Sequence, residues 1–320
     1  MSFSAQTKDE LARLYPDKKC CQRAELAALC RMDGTLTISS KHQLGLQVTT
    51  ENAAVARKII MLAKEVYRLE AELRVKKSMR LKKNNNYVVR FPSSENMPLV
   101  MRDLGILKKP GQIQPGIKKE LIRNQCCRRS YLRGVFLGAG SVNSPEGNYH
   151  LEIIANDELY AEEIATLMNR FPGIQAKISS RKNWQIVYLK ESEQIVNFLS
   201  VVGAHQALLN FENTRIVKEM RNQVNRLVNC ETANLSKTIN ASMRQLENIR
   251  YLQENIGLAQ LPPRLRMVAA ARLENPDVSL KELGEMLDPP IGKSGVNHRM
   301  RKLEEMAEEL KAHREKQKRS

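Results

Sequence analysis

The sequence predicts an α+β protein made of two pseudo-symmetric halves, followed by an all-helical region that ends in a helix-turn-helix. Three observations carry this reading. A 17-residue segment is written twice, 106 positions apart, and strand signal vanishes beyond about residue 212. Near the C-terminus, a helix-capping signature precedes a second helix with one polar face.

The duplicated segment reads CCQRAELAALCRMDGTL at 20–36 and CCRRSYLRGVFLGAGSV at 126–142, with five identities and with Ala139 in the place of Asp33. Correspondence continues beyond it: Leu46, Asn52, Ala56, Ile59 and Leu62 match Leu151, Asp157, Ala161, Ile164 and Leu167 at an offset of 105. Further on, Asn86 and Tyr87 match Asn183 and Trp184 at 97, and Leu104 and Gly105 resemble Val202 and Gly203 at 98. A sustained match of this kind marks an internal repeat.

Each half reads helix, two strands, helix, two strands, helix. In the first, residues 36–38 and 44–49 alternate like a hairpin, 53–67 have helical spacing, and 87–91 form a strand around Val88 and Val89. The second repeats this order with strands at 151–154 and 184–189 and helices at 159–171 and 192–202. From residue 213 to 252 the chain is helical and rich in Asn and Arg (Asn222, Asn225, Arg226, Asn229), then breaks at Leu261, Pro262 and Pro263. That segment reads as a bridge, either a continuous helix or a hinge. The expected limits are a lead-in at 1–19, halves at 20–125 and 126–213, a helical linker at 214–261, a helix-turn-helix domain at 262–311, and a charged tail at 312–320 that frays.

Charge points to the partner. With 52 Lys and Arg against 35 Asp and Glu, the net charge is +17, which favours a polyanion and nucleic acid first. No apolar run is long enough to span a bilayer, so a cytoplasmic protein is expected. Six cysteines, at 20, 21, 30, 126, 127 and 230, are too sparse for a secreted disulfide framework. Two vicinal pairs suggest a four-thiolate zinc site, but adjacent residues rarely aim both side chains at one metal and C-x2-C spacing is absent. They therefore read as small apolar residues at two equivalent helix starts, and no metal or cofactor is expected.

The segments LAALCRMDG at 26–34 and LRGVFLGAG at 132–140 resemble the two LAGLIDADG helices of homing endonucleases. In such a pair, two helices pack closely about a local two-fold axis, so small residues belong at the contact: Ala24, Ala27 and Ala28 on one side, Ser130, Gly134 and Gly138 on the other. The resemblance implies an acidic metal ligand at the eighth position. Only Asp33 remains; a methyl group at Ala139 neither binds a hard cation nor positions water, so no catalytic residue is assigned and Asp33 reads as an Asp-Gly turn residue. A residual Mg-dependent nuclease using Asp33 is the competing reading, and an RNA-binding module is a third. The resemblance also implies a strand surface that saddles the DNA major groove. Thr35, Thr37, Ser39, Lys41 and Gln47 are candidates in one half, and Arg181, Lys182 and Asn183 in the other. The densest cationic run, Arg74, Lys76, Lys77, Arg80, Lys82 and Lys83, is suited to neutralise phosphates, with Arg181 and Lys182 as further candidates.

Base reading is expected at the C-terminus. Ser279 with Glu282 three residues on forms a capping box, so a helix starts there and runs to about residue 287 before Asp288, Pro289 and Pro290 stop it. A second helix begins near Ser294, with Val296, Met300, Leu303 and Met306 as its buried stripe. Residues 264–273 form the preceding supporting helix, packing through Leu265, Val268, Ala269 and Leu273. The other face of the second helix presents Lys293, Ser294, Asn297, His298, Arg301 and Lys302 as the recognition set. Glu304, Glu305, Glu308 and Glu309 repel phosphate, so groove insertion ends near Leu303.

A degenerate LAGLIDADG repeat with an appended helix-turn-helix resembles the WhiA family of bacterial DNA-binding proteins. The most family-like stretches are CCRRSYLRG at 126–134, VNRLVNCETAN at 224–234, LKELG at 280–284 and KSGVNHR at 293–299. The resemblance implies a non-enzymatic transcriptional regulator or nucleoid-associated factor linked to cell division, chromosome segregation and sporulation. Its partners would be double-stranded DNA and a protein bound through the N-terminal domain.

Overall fold

The computed structural model describes residues 1–39, 43–77, 85–109 and 111–319. They fall into two units, Met1–Glu219 and Met220–Ser320.

The first unit opens on α1 (Phe3–Ala12), a helix absent from the sequence reading. Its one buried face is punctuated by a threonine: Thr7, Leu11 and Ala12 are buried, too short a stripe to stand out from the polar run around it. Then come α2 (Lys19–Asp33), β1 (Gly34–Ile38), β2 (Leu44–Thr50), α3 (Ala53–Tyr67), β3 (Glu72–Lys77), β4 (Asn85–Phe91) and α4 (Met97–Asp103). A small hairpin, β5 (Leu107–Lys109) with β6 (Gln112–Ile113), and a 3-10 turn (Lys119–Ile122) lead to the second half. There α5 (Gln125–Ala139), β7 (Gly140–Val142), β8 (Leu151–Ala155), α6 (Glu158–Asn169), β9 (Lys177–Arg181), β10 (Trp184–Leu189) and α7 (Ser192–Val202) repeat the order. The sheets are β1-β2-β4-β3 and β7-β8-β10-β9, all neighbours antiparallel. The duplicated α+β architecture is therefore as the repeat predicts.

Period-two alternation builds the core. Leu46 and Val48 on β2 register with Phe91 and Val89 on β4, and Leu151 and Ile153 on β8 with Leu189 and Val187 on β10; all eight side chains are buried. Each is worth roughly 1.5–3 kcal/mol over an exposed position. Helices cover these faces, Phe136 of α5 meeting Phe198 of α7 with centroids 5.7 Å apart. Gly203, at φ 89°, ends α7 in the left-handed region that favours glycine, and α8 (His205–Asn255) follows at once.

The segment left open as helix or hinge is α8 itself, a continuous helix of 51 residues with no Gly or Pro in it. Its start is capped from a distance: the Glu10 carboxylate on α1 accepts from the backbone N–H groups of Gln206 (2.7 Å) and Ala207 (2.9 Å).

In the second unit the end of α8, a 3-10 turn (Leu258–Gln260), α9 (Pro263–Glu274), α10 (Leu280–Glu285) and α11 (Lys293–Arg319) enclose a separate core. Ile249, Leu252, Leu265, Val268, Ala269, Leu283, Val296, Met300 and Leu303 are buried in it. The tail expected to fray from 312 continues α11 to Arg319; its Ala, Glu, Lys, Gln and Arg residues are strong helix formers.

One expectation fails on geometry. The vicinal cysteines do aim at a common point: the Sγ atoms of Cys20, Cys21, Cys126 and Cys127 all lie within 4.8 Å of one another. They sit at equivalent positions in the first turns of α2 and α5, where the local two-fold brings the two pairs face to face.

Candidate nucleic-acid interface

The axis of the first unit is the contact of α2 with α5. Cysteines meet at their N-terminal ends, and Gly138 faces Met32 and Asp33 at their C-terminal ends, so the helices run parallel. Ala24, Ala27, Ala28 and Ser130 are buried. A Cβ on Gly134 would lie 2.5 Å from the Glu25 carbonyl oxygen, and one on Gly138 would lie 2.7 Å from the Met32 Cβ. Small residues are required here by approach distance, as the motif predicts.

Asp33 is not a turn residue. It is the last residue of α2, and the following Gly34 is extended (φ −84°, ψ 139°). Glycine is needed there because a Cβ would lie 2.0 Å from the Cys30 carbonyl oxygen. The Asp33 carboxylate borders a cleft of about 1070 Å³ that is also lined by Lys8, Arg13 and Arg57. Burial pushes its pKa from 3.8 up to about 6, and the Lys8 ammonium pulls it back. Burial likewise lowers Lys8, whose Nζ donates to the Gly138 carbonyl at 3.4 Å. The two motif positions do not supply a matched pair of carboxylates: one is Asp33, whose carboxyl burial pushes up to about 6 beside Lys8, and the other is the methyl group of Ala139, while Asp9 and Glu51 also line the cleft.

The two sheets place the expected phosphate contacts unevenly. Arg74, Lys76 and Lys77 form half of β3, an edge strand with every residue exposed. Strand alternation divides them. Arg74 registers with Val88 and Lys76 with Asn86, on the face that carries Arg90, Gln47 and Thr35 and turns away from the core. Thr37 shares that face, whereas Lys77 falls on the other, with Leu73 and Val75. Glu72 pairs with Arg74 at 3.1 Å, reducing the charge Arg74 offers. In the second half Arg181 ends β9 opposite Trp184, and Lys182 occupies the turn at φ 55°. Lys41, Arg80, Lys82 and Lys83 lie outside the described residues.

In the second unit the capping box forms as read: Glu282 N–H donates to Ser279 Oγ at 3.3 Å and Ser279 N–H to Glu282 Oε2 at 2.8 Å. After α10 the chain crosses so close that a Cβ on Gly284 would lie 2.2 Å from the Ile291 carbonyl oxygen. That crossing sets the first turn of α11 beside α10. Val296, Met300, Leu303 and Ala307 are buried, with Met306 packed at their margin. Ser294, His298, Arg301 and Lys302 are exposed on the opposite side; Lys293 is exposed in the first turn and Asn297 half-buried at the flank. None of these cations is in an ion pair among the described residues.

Two polar clusters escaped sequence reading. Glu25, fully buried, takes Lys58 Nζ at 2.5 Å and Arg133 at 3.1 Å. Lys58 also donates to the Leu11 carbonyl at 2.8 Å, and Arg133 Nε donates to the Val202 carbonyl at 2.7 Å. Arg272, also buried, donates to the Val278 carbonyl at 2.7 Å and ties down the loop before α10. Charged residues on helices read as solvent-facing, and only tertiary packing reveals the acceptors that make their burial tolerable.

With this geometry in place, comparison with known proteins is specific. Residues 19–107 match the family model of the "WhiA N-terminal LAGLIDADG-like domain", residues 128–221 that of the "WhiA LAGLIDADG-like domain", and residues 224–307 that of the "WhiA C-terminal HTH domain". The chain is 59% identical over 308 residues to the "Probable cell division protein WhiA" of Heliobacterium modesticaldum, covering 96% of each chain. It is 58% identical over 313 residues to the protein of that name from Desulfitobacterium hafniense, covering 97% of this chain and 96% of that one. The crystal structure of full-length WhiA from Thermatoga maritima superposes with a TM-score of 0.59 at 26% identity, over 97% of this chain and 99% of that one.

Proposed function

The chain belongs to the WhiA family, and from that premise we propose that it is a non-enzymatic DNA-binding regulator. The reading extends to this chain the cell-division role in its relatives' names, exercised through transcription, with chromosome segregation and sporulation among the processes served and the nucleoid as its place of action. Residues 262–311 read bases, while the halves 20–125 and 126–213 add phosphate contacts or hold a protein partner.

The observation that carries the proposal is the exposed face of α11. Ser294, His298, Arg301 and Lys302 project opposite a buried stripe, on the N-terminal turns of the second helix of a helix-turn-helix. Arg301→Ala or Asn297→Ala should lower affinity for a cognate duplex by roughly 1–3 kcal/mol and relax its preference over random DNA. Removing charge at Lys76 and Lys77 should instead flatten the salt dependence on both duplexes. Fluorescence anisotropy at several salt concentrations separates the two, and equal losses on cognate and random DNA for Arg301→Ala would sink the base-reading role.

Supercoiled plasmid with Mg2+ tests the absence of nuclease activity, since cleavage abolished by Asp33→Ala would overturn it. Competition between duplex DNA and structured RNA at fixed salt tests the choice of nucleic acid.

A further inference from the structure

The four sulfurs that converge between α2 and α5 have no part in DNA recognition as proposed above. They come as two pairs related by the internal two-fold, each at the second and third positions of a 15-residue helix: Cys20 and Cys21 after Lys19, Cys126 and Cys127 after Gln125. Within each pair the Sγ atoms are 4.0 Å apart, and no two of the four are separated by more than 4.8 Å. Zinc–sulfur bonds of about 2.3 Å in a regular tetrahedron set sulfur–sulfur edges of about 3.8 Å, so closure needs a contraction of at most about 1 Å.

Burial pushes the Cys21 and Cys127 thiols up, and the helix ends work in the opposite direction. Helix first turns present backbone N–H groups without intrahelical partners and favour negative charge. Neither α2 nor α5 has a side-chain cap hydrogen bond at its N-terminus, so among the described residues no capping side chain already occupies that role. Cys21 and Cys127 are buried and Cys20 and Cys126 half-buried, so the cluster is shielded without being sealed from solvent. Soft sulfur donors select zinc-class ions over Mg2+.

We propose that Cys20, Cys21, Cys126 and Cys127 form a closed tetrahedral site for one zinc-class divalent ion, clasping the N-terminal ends of α2 and α5. Binding replaces four S–H bonds by four metal–sulfur bonds and releases four protons, with no change of oxidation state. With all four positions taken by protein the ion has no vacancy for substrate, so the site is structural. It lies at the far end of α2 from Asp33, twelve residues and about 18 Å along the helix, and is distinct from any metal position at the LAGLIDADG carboxylates.

The full-length chain, purified under reductant without chelator, should carry one equivalent of zinc by elemental mass spectrometry. Metal-stripped protein titrated with Co2+ should develop the absorption of tetrahedral cobalt thiolate. Cys126→Ser should weaken zinc binding by more than about 100-fold, beyond the loss of an outer-shell partner, while Cys230→Ser leaves it unchanged. Should Cys126→Ser fail to fold, alkylation of the natural protein decides, with Cys20 and Cys126 protected only when metal is bound. Substoichiometric metal, a six-coordinate cobalt spectrum, unprotected Cys20 and Cys126, or disulfides among the four in protein kept reduced would each overturn the site.

Discussion

Asp33 shows how one position changes character between sequence and fold. Followed by glycine it reads as a turn; in the structure it ends α2 beside Gly138, partly desolvated, with Lys8 supplying a compensating charge. Its pKa is raised from 3.8 to about 6, so the folded state binds the proton more tightly than the unfolded chain does. The ionised carboxylate therefore costs stability above pH 6, and the cost disappears as pH falls below about 4. Asp33→Asn should raise the unfolding free energy by about 1–3 kcal/mol at pH 7.5. In urea titrations the gain should shrink toward zero at pH 4, and a difference independent of pH would refute this account. Lys8 was invisible as a partner because it belongs to α1, whose short buried face gave no signal. Glu25, Lys58 and Arg133 were unreadable for a related reason: each is a charged residue on its own helix, and only the packed helices show that Glu25 pairs with both of the others.

At the level of elements, legibility follows burial. Helix α3, helix α7 and strand β10 begin and end where the periodicity places them, at 53–67, 192–202 and 184–189, because each has one face on the core. Strands β3 and β9 were not located, since every residue of both is exposed and no alternation of apolar and polar side chains is imposed on them. The cationic run was thus read as a surface without its pleat, which sends Lys76 and Lys77 to opposite faces. The helix pair was legible through its small residues. Gly134→Val should separate α2 from α5, because even a Cβ would sit 2.5 Å from the Glu25 carbonyl oxygen and backbone cannot yield as a side chain would. A loss of about 1–3 kcal/mol or more is expected in thermal or chemical unfolding, whereas Gly147→Ala, whose Cβ would meet nothing closer than 3.8 Å, should be near neutral.

Across the whole molecule, the duplicated order of helices and strands and the appended helix-turn-helix followed from repetition and periodicity, whereas the convergence of four cysteines did not. Each vicinal pair holds its own two sulfurs 4.0 Å apart, but only the second helix, brought in by the two-fold, sets all four within 4.8 Å of one another. Helix α1 acts at the same scale. Glu10→Ala should remove the two hydrogen bonds that its carboxylate accepts at the start of α8 and lower the stability of the first unit by about 1–2 kcal/mol. Denaturation followed by a probe in that unit would show it, and an unchanged midpoint would mean that solvent caps α8 equally well. That contact also bears on the timing of synthesis. Glu10 leaves the ribosome almost two hundred residues before Gln206 and Ala207, so α1 must wait for nearly the whole unit to emerge before these bonds can close, and the unit completes late rather than half by half.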